Sequence, residues 1–302
     1  MSNRTKGLTF ALISAILYGL IPILGKIFVS NFHPLFVAFA VTLIVDLYFL
    51  GITLWRKDLF HNFQRREVRY VILIGIFAAI GSILSFVGLS VGRASHAGFF
   101  FQFEIFFAAI LAFLFLKEKL YKNQIRGLVF MGIGAYVFGT SLSYSFETAN
   151  LFFLGSAFVW SINSVVAKSM VKHFSPFFIA FGRSFFSLFI LFPLVLQYLP
   201  ENLQKLTGQD VIYFLLYGLV VAGLILSLYF AFVYIKTAEA LSYQLLYPII
   251  TAVLAYFIFG ERLNTIQLAG GAVILVGLYL MAKVRCQAHL EMSAFLQNRN
   301  VL

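Results

Sequence analysis

The chain has 302 residues, 62% of them hydrophobic and 11% charged, with 22 Lys and Arg against 11 Asp and Glu for a net charge of +11. With a mean hydropathy of +0.95, this excludes a soluble globular domain, where about 25% of residues are charged. The sequence belongs instead with polytopic helical membrane proteins.

Ten apolar runs are long enough to span a bilayer or nearly so, at about 7–28, 33–55, 68–91, 95–116, 124–143, 151–171, 177–199, 210–234, 238–259 and 265–284. No alternation of the kind a membrane β-barrel needs is visible. Span one runs past twenty residues without a small-residue cleavage pattern, so it reads as a span and not as a signal peptide. Residues four apart share a helix face, which stacks Ser14, Tyr18, Pro22 and Lys26 on one stripe. Pro22 frees a backbone carbonyl, which suits a hinge or a ligand contact.

Span two carries Asp46 near its middle. A structural role comes first for it, ahead of pairing with Arg183 or holding a proton. A basic loop, Arg56–Arg69, leads to span three. An ionisable group inside a span costs about 2.5–3.5 kcal/mol on insertion scales, so Glu104 in span four needs a reason. It shares a stripe with His96, Phe100 and Ala108. That face suits an organic solute with an apolar body and a cationic head, and pairing within the bundle competes with that role. Gly127, Gly132 and Gly134 in span five suit close helix contact.

Span six repeats the stripe of span one as Ser156, Trp160, Ser164 and Lys168, with Asn163 beside it. Tyr18 and Trp160 read as cavity walls. Lys26 and Lys168 fall near span ends, where snorkelling to the interface competes evenly with a gate or a contact to a substrate carboxylate. Arg183 in span seven reads as a helix brace. Span nine carries Glu239, Tyr243, Tyr247 and Thr251 on one stripe, the counterpart of the Glu104 face, and span ten carries Gly270, Gly271 and Gly277. The glycine rows read as packing within the fold, and a homodimer interface is the alternative. Glu118 and Glu261, closing spans four and nine, read as caps and loop anchors. The tail 287–302 suits a short helix on the membrane surface or a frayed end.

Two copies of one unit fill the chain. Ser14-Ala15, Tyr18, Lys26, Pro34 and Phe36 recur 142 positions later as Ser156-Ala157, Trp160, Lys168, Pro176 and Phe178; Glu118, Gln124 and Gly134 recur at 143 as Glu261, Gln267 and Gly277. Five spans per copy, 7–143 and 149–286, force the second to enter the membrane upside down. Inverted repeats of this kind are the architecture of alternating-access carriers. With the N-terminus inside, seventeen of the 22 Lys and Arg fall in inner segments. The charge therefore reports topology, with both termini cytoplasmic, and not nucleic-acid binding.

The runs Phe103-Glu104-Ile105 to Lys117-Glu118 and Tyr247-Pro248-Ile249 to Gly260-Glu261 resemble the two copies of a signature of the drug/metabolite transporter superfamily, EamA type. Arg183, eight residues beyond Ser175, is similar too. The likeness covers about 7–284, although Ile105 stands where the family often has proline. It implies a ten-helix carrier of the inner (plasma) membrane, with a central cavity lined by spans one, three, four, six, eight and nine.

The expected fold is thus an all-α polytopic membrane protein of two inverted five-helix repeats. The expected function is secondary transport of a small polar or amphipathic metabolite, with amino acids or amines favoured and a coupling proton at Glu104, Glu239 or His96. The expected substrate contacts are Glu104, Phe100, His96, Tyr18, Trp160, Asn163, Ser164, Tyr243, Tyr247 and Glu239, with Lys26, Lys168 and Pro22 for gating or coupling. A carrier for a nucleotide-like metabolite is the alternative, ahead of a flippase for a lipid-linked sugar or a membrane-embedded enzyme. No ATP-binding loop and no metal-ligand spacing appear, so no cofactor, metal or catalytic residue is expected.

Overall fold

A computed structural model of the chain describes residues 3–55, 65–116, 122–139, 147–171, 174–235, 240 and 243–280. The described residues hold helices and no strand. With no water in a bilayer to satisfy the backbone, helices close their own hydrogen bonds, and the apolar composition leaves few alternatives.

In chain order the helices are α1 (Asn3–Val29), α2 (Pro34–Trp55), α3 (Arg65–Val91), α4 (Ala94–Phe100), α5 (Phe103–Leu116), α6 (Lys122–Gly139), α7 (Thr148–Met170), α8 (Pro176–Val195), α9 (Leu199–Lys205) and α10 (Gly208–Tyr234). A 3₁₀ turn, Tyr243–Leu246, leads into α11 (Tyr247–Phe259), and α12 covers Thr265–Leu280. Six of these, α1, α2, α3, α7, α8 and α10, include stretches long and apolar enough to cross a membrane. Their outward side chains are large and apolar, with Leu47, Phe189 and Leu219 all exposed, as lipid contact requires. The chain is an all-α, multi-pass membrane protein.

Local chemistry sets the helix ends. Ser175 accepts from the Phe178 N–H at 3.2 Å, with Pro176 in the first turn, where a missing N–H costs nothing. Thr207 and Asp210 form a reciprocal capping box at the start of α10. A longer-range cap closes α4: Glu261 accepts from the Ala94 and Ser95 N–H groups, both at 2.9 Å, and from the Ser95 hydroxyl at 2.6 Å. Glu261 is thus an anchor, although to a helix far away in sequence; Glu118 lies outside the described residues.

Two expectations about continuity need correcting. Span four is interrupted at Phe101-Gln102, where Glu104 N–H bonds to Phe101 C=O and Ile105 N–H to Gln102 C=O, both at 3.0 Å. These bonds reach back three residues and not four, so the helix tightens and restarts as α5. Span nine breaks at the Tyr243–Leu246 turn, ahead of Pro248 in the first turn of α11.

The helix α1 lies along α10, and α3 lies along α7. In repeat terms these are one pairing made twice, span one on span eight and span six on span three. Both α2 and α3 also pack on α8. The backbones of α6 and α12 touch: a Cβ at Gly134 would lie 2.7 Å from Ile274 N, and one at Gly270 would lie 2.6 Å from Phe138 N. Gly132, grouped with them on sequence grounds, faces open space.

Candidate functional site

The helices enclose a central cavity of about 130 Å³. From α1 come Tyr18 and Ile21; the α4–α5 junction gives Phe101 and Glu104; α7 gives Trp160, Asn163 and Ser164. The α3 wall includes Ser82, Ser85 and Phe86, and α10 adds Tyr217, Ile225 and Tyr229. Two further helices take part: α2 through Val41, Thr42 and Val45, and α8 through Arg183, Ser184 and Ser187. Spans two and seven therefore line the cavity, whereas the described part of span nine does not.

Glu104 is its electrostatic centre. It is 4% exposed and sits in the first turn of α5, where the interruption places the positive end of a helix dipole inside the bundle. Its Oε1 accepts from the Ser164 hydroxyl, and its Oε2 accepts from the Tyr18 hydroxyl at 3.4 Å. Both oxygens thus have partners from spans one and six, the pair related by the repeat.

The aromatic wall is held from behind. The indole of Trp160 lies flat on α3 because Gly81 has no side chain; a Cβ there would come within 2.9 Å of the ring. Its Nε1–H reaches Ser85 Oγ at 3.4 Å, and Ser85 and Ser156 share a hydrogen bond at 2.6 Å. Asn163 donates to Ile74 C=O at 3.0 Å and accepts from Tyr229 OH at 3.4 Å. Facing them from α8, the Arg183 guanidinium stands 4.7 Å over the Trp160 ring.

Five of the expected contact residues therefore meet at one place: Tyr18, Glu104, Trp160, Asn163 and Ser164. Four others do not reach the cavity wall. Phe100 is buried against Phe103 and Phe138. Tyr247 is buried and touches the site only through the Tyr18 ring, at 4.4 Å, and Tyr243 lies half-buried in the 3₁₀ turn. His96, fully buried, sits in a separate polar cluster with Asn150 Oδ1 at 3.2 Å, Glu147 at 3.3 Å and Gln267 Nε2 at 3.0 Å. Gln267 Oε1 already accepts from Asn264 N–H, so its amide N–H₂ must face His96 Nε2. That fixes a neutral imidazole, with Nδ1–H donating to Asn150 or Glu147. The physical reason for the misplacement is the break in span four: α4 and α5 are separate helices, so residues 96 and 100 do not continue the face of residue 104. Glu239 lies outside the described residues.

Lys26 and Lys168 also stand outside the cavity. Lys26 donates to Leu89 C=O at 2.9 Å and Gly92 C=O at 2.6 Å. Lys168 donates to Phe232 C=O and to Ile235 C=O, the latter at 2.9 Å. Each closes the C-terminal end of a neighbouring helix. Pro22 is buried within α1 and does not line the cavity; in the preceding turn Gly19 C=O accepts from Thr251 at 2.9 Å and Ile21 C=O from Tyr217 at 3.3 Å. Asp46 accepts from Ser184 Oγ at 2.8 Å, a structural bond behind the cavity wall.

Sequence reasoning missed Arg183, Ser187 and Tyr229 as cavity residues. One signal was available for Arg183, a permanent charge within a span with no equivalent in the first repeat, where Val41 stands.

A family model described as the EamA-like transporter family matches residues 5–140 and again 147–283. An uncharacterized transporter of Methanothermobacter thermautotrophicus is 25% identical, covering 92% of this chain and 87% of its own. A riboflavin transporter of Fusobacterium nucleatum is 24% identical over 94% of this chain and all of its own. A probable amino-acid metabolite efflux pump of Salmonella typhimurium is 27% identical over 69% of this chain and 73% of its own. A solved crystal structure shares the fold with a TM-score of 0.68 at 13% identity, covering 94% of this chain and 99% of that one.

Proposed function

This chain belongs to the EamA-like transporter family and is a membrane transporter, and we propose that it moves a small amphipathic or polar metabolite, of the amino-acid or amine class, by alternating access. One observation carries the reading: Glu104, a buried carboxylate at the mouth of a broken helix, faces an aromatic-walled cavity formed by helices from both halves of the chain. An ammonium head meets the carboxylate, and Tyr18 and Phe101 offer ring faces to the apolar body.

In this reading the repeats 7–143 and 149–286 are inverted copies that rock about the cavity. Lys26 bridges α1 to α3, and Lys168 bridges α7 to α10. Because α1 lies along α10 and α3 along α7, each lysine joins one helix pair to the other. One bridge has to loosen for the cavity to open on its side. A coupling proton, where one is used, fits Glu104 better than His96, because Glu104 lines the cavity and His96 lies apart from it.

A carrier for a nucleotide-like or flavin-like ring system is the second reading. The Trp160–Arg183 stack supports it, together with the likeness to a riboflavin transporter.

Counterflow in proteoliposomes tests the assignment, with radiolabelled amino acids, amines and flavins as cargo. Wild type should show saturable flux for one class, and Glu104→Gln should lose it while keeping its elution profile and melting behaviour. Undiminished flux in Glu104→Gln for every accepted cargo would remove Glu104 from the substrate path.

A further inference from the structure

We propose that the cavity has a second pole on α8, built on Arg183 and Ser187, which accepts an oxyanion, so that the cargo bears a carboxylate or phosphate as well as an apolar body. This rests on the transport reading of the cavity. The Arg183 guanidinium lies over the Trp160 ring at 4.7 Å, and stacking of this kind occupies the face of the fork while leaving its N–H edges to donate. Tyr229 lines the same cavity and gives its hydroxyl hydrogen to Asn163 Oδ1. No carboxylate among the described residues is ion-paired with Arg183. The buried acids Glu104 and Asp46 have other partners: Glu104 accepts from Ser164 and Tyr18, and Asp46 accepts from Ser184.

Ser187 supplies an independent observation. It lies one helical turn beyond Arg183 on the same face of α8, lines the cavity, and is 1% exposed, and its Oγ has no hydrogen-bond partner. Buried hydroxyls are normally satisfied. A guanidinium edge and an unsatisfied hydroxyl one turn apart, both on the cavity wall, form a cradle that an oxyanion would complete: two N–H donors to its oxygens and one O–H. The fold builds this site, because Gly81 and Ser85 fix the indole on which the guanidinium rests. A carboxylate seated there, with Glu104 across the cavity, would orient a zwitterion with its two charges on opposite helices.

The chain has two tryptophans, and Trp55, 83% exposed at the end of α2, is remote from the cavity. The full chain with Trp55→Phe therefore reports on Trp160 alone. In detergent it should be titrated with 3-phenylpropionate, phenyl phosphate, phenethylamine and phenylalanine, which share a ring and differ in charge. A saturable change in Trp160 emission is expected from the probes carrying an oxyanion, and the carboxylate and phosphate arms show which oxyanion is preferred. Arg183→Gln should raise the half-saturating concentration at least tenfold, Arg183→Lys should recover part of it, and Ser187→Ala should raise it several-fold.

An equal response to phenethylamine and 3-phenylpropionate, unchanged in Arg183→Gln, would overturn the anion pole and leave the carrier cavity intact. Silence from the whole series would also overturn it. The carrier assignment itself is decided separately, by counterflow in wild type and Glu104→Gln.

Discussion

Lys26 and Lys168, 142 residues apart in the sequence, make the same bonds in the structure. Each ammonium caps the carbonyl two residues before a helix end and the carbonyl one residue after it, at Leu89 and Gly92 for α3 and at Phe232 and Ile235 for α10. The bonds join helices within one repeat, yet they also bridge the α1–α10 pair to the α3–α7 pair. Hydrogen bonds to a charged group contribute about 1.5–3 kcal/mol. Lys26→Met and Lys168→Met should each lower the melting temperature in detergent by amounts similar to one another. A large effect from one and none from the other would show that the two caps are not equivalent.

At Glu104 the two hydroxyl partners are not equal. Ser164 donates to Oε1, whereas the Tyr18 hydroxyl stands 3.4 Å from Oε2, beyond the usual range of about 2.5–3.0 Å for an O–H donor. Ser164→Ala should therefore weaken cargo binding or transport by about tenfold, from a loss of roughly 1.4 kcal/mol. Tyr18→Phe, which keeps the ring, should change it by less. Transport kinetics of the two variants side by side would reverse this ranking if the tyrosine hydroxyl were the main orienting group.

The α6–α12 contact offers a matched pair of substitutions. Gly134→Val places a branched side chain where even a Cβ meets Ile274 N at 2.7 Å, whereas Gly132→Val points into open space. Overpacking costs typically about 1–3 kcal/mol and more when backbone must move. Gly134→Val should lose substantial thermal stability and Gly132→Val almost none. Comparable losses at both positions would mean that Gly132 has a covering partner, and a dimer should then be sought by cross-linking.

His33 gives a pH dependence outside the membrane spans. It lies half-buried between α1 and α2, stacks on Tyr198 at 3.5 Å, and accepts from Leu35 N–H at 3.3 Å through Nδ1. Burial holds its imidazole below the usual range, and nearby Glu201 pulls weakly the other way. The folded state thus resists the proton that the unfolded chain takes up near pH 6.5. The stability His33 confers is complete above that pH and is lost as pH falls through its lower folded value. Melting temperature should drop between pH 7 and 5, with a shallower slope in His33→Asn; parallel slopes would assign the acid sensitivity to other groups.

Much of the site was legible because the relevant patterns are local. The repeat spacing alone pairs Lys26 with Lys168 and Tyr18 with Trp160, and the energetic cost of Glu104 within a span marks it as purposeful. His96 and Phe100 were misplaced because a four-residue stripe assumes an unbroken helix. The break at Phe101-Gln102 carries no proline or glycine to announce it, unlike the break before Pro248. Arg183 was assigned to bracing because its neighbours on other helices cannot be read along the chain.

The sequence by itself determined that this is a helical, multi-pass membrane protein built from a duplicated unit, because hydropathy and repeat spacing are properties of the chain alone. Only the tertiary structure decided which faces meet: that α2 and α8 line the cavity, that Tyr247 stands behind Tyr18, and that an arginine rests on a tryptophan. In lipid the outward faces and most of the inward ones are apolar, so hydrophobicity alone does not tell a helix which way to turn. The rotation of each helix is set by close packing at positions such as Gly81 and Gly134 and by a few buried hydrogen bonds, and these exist only once distant segments have come together.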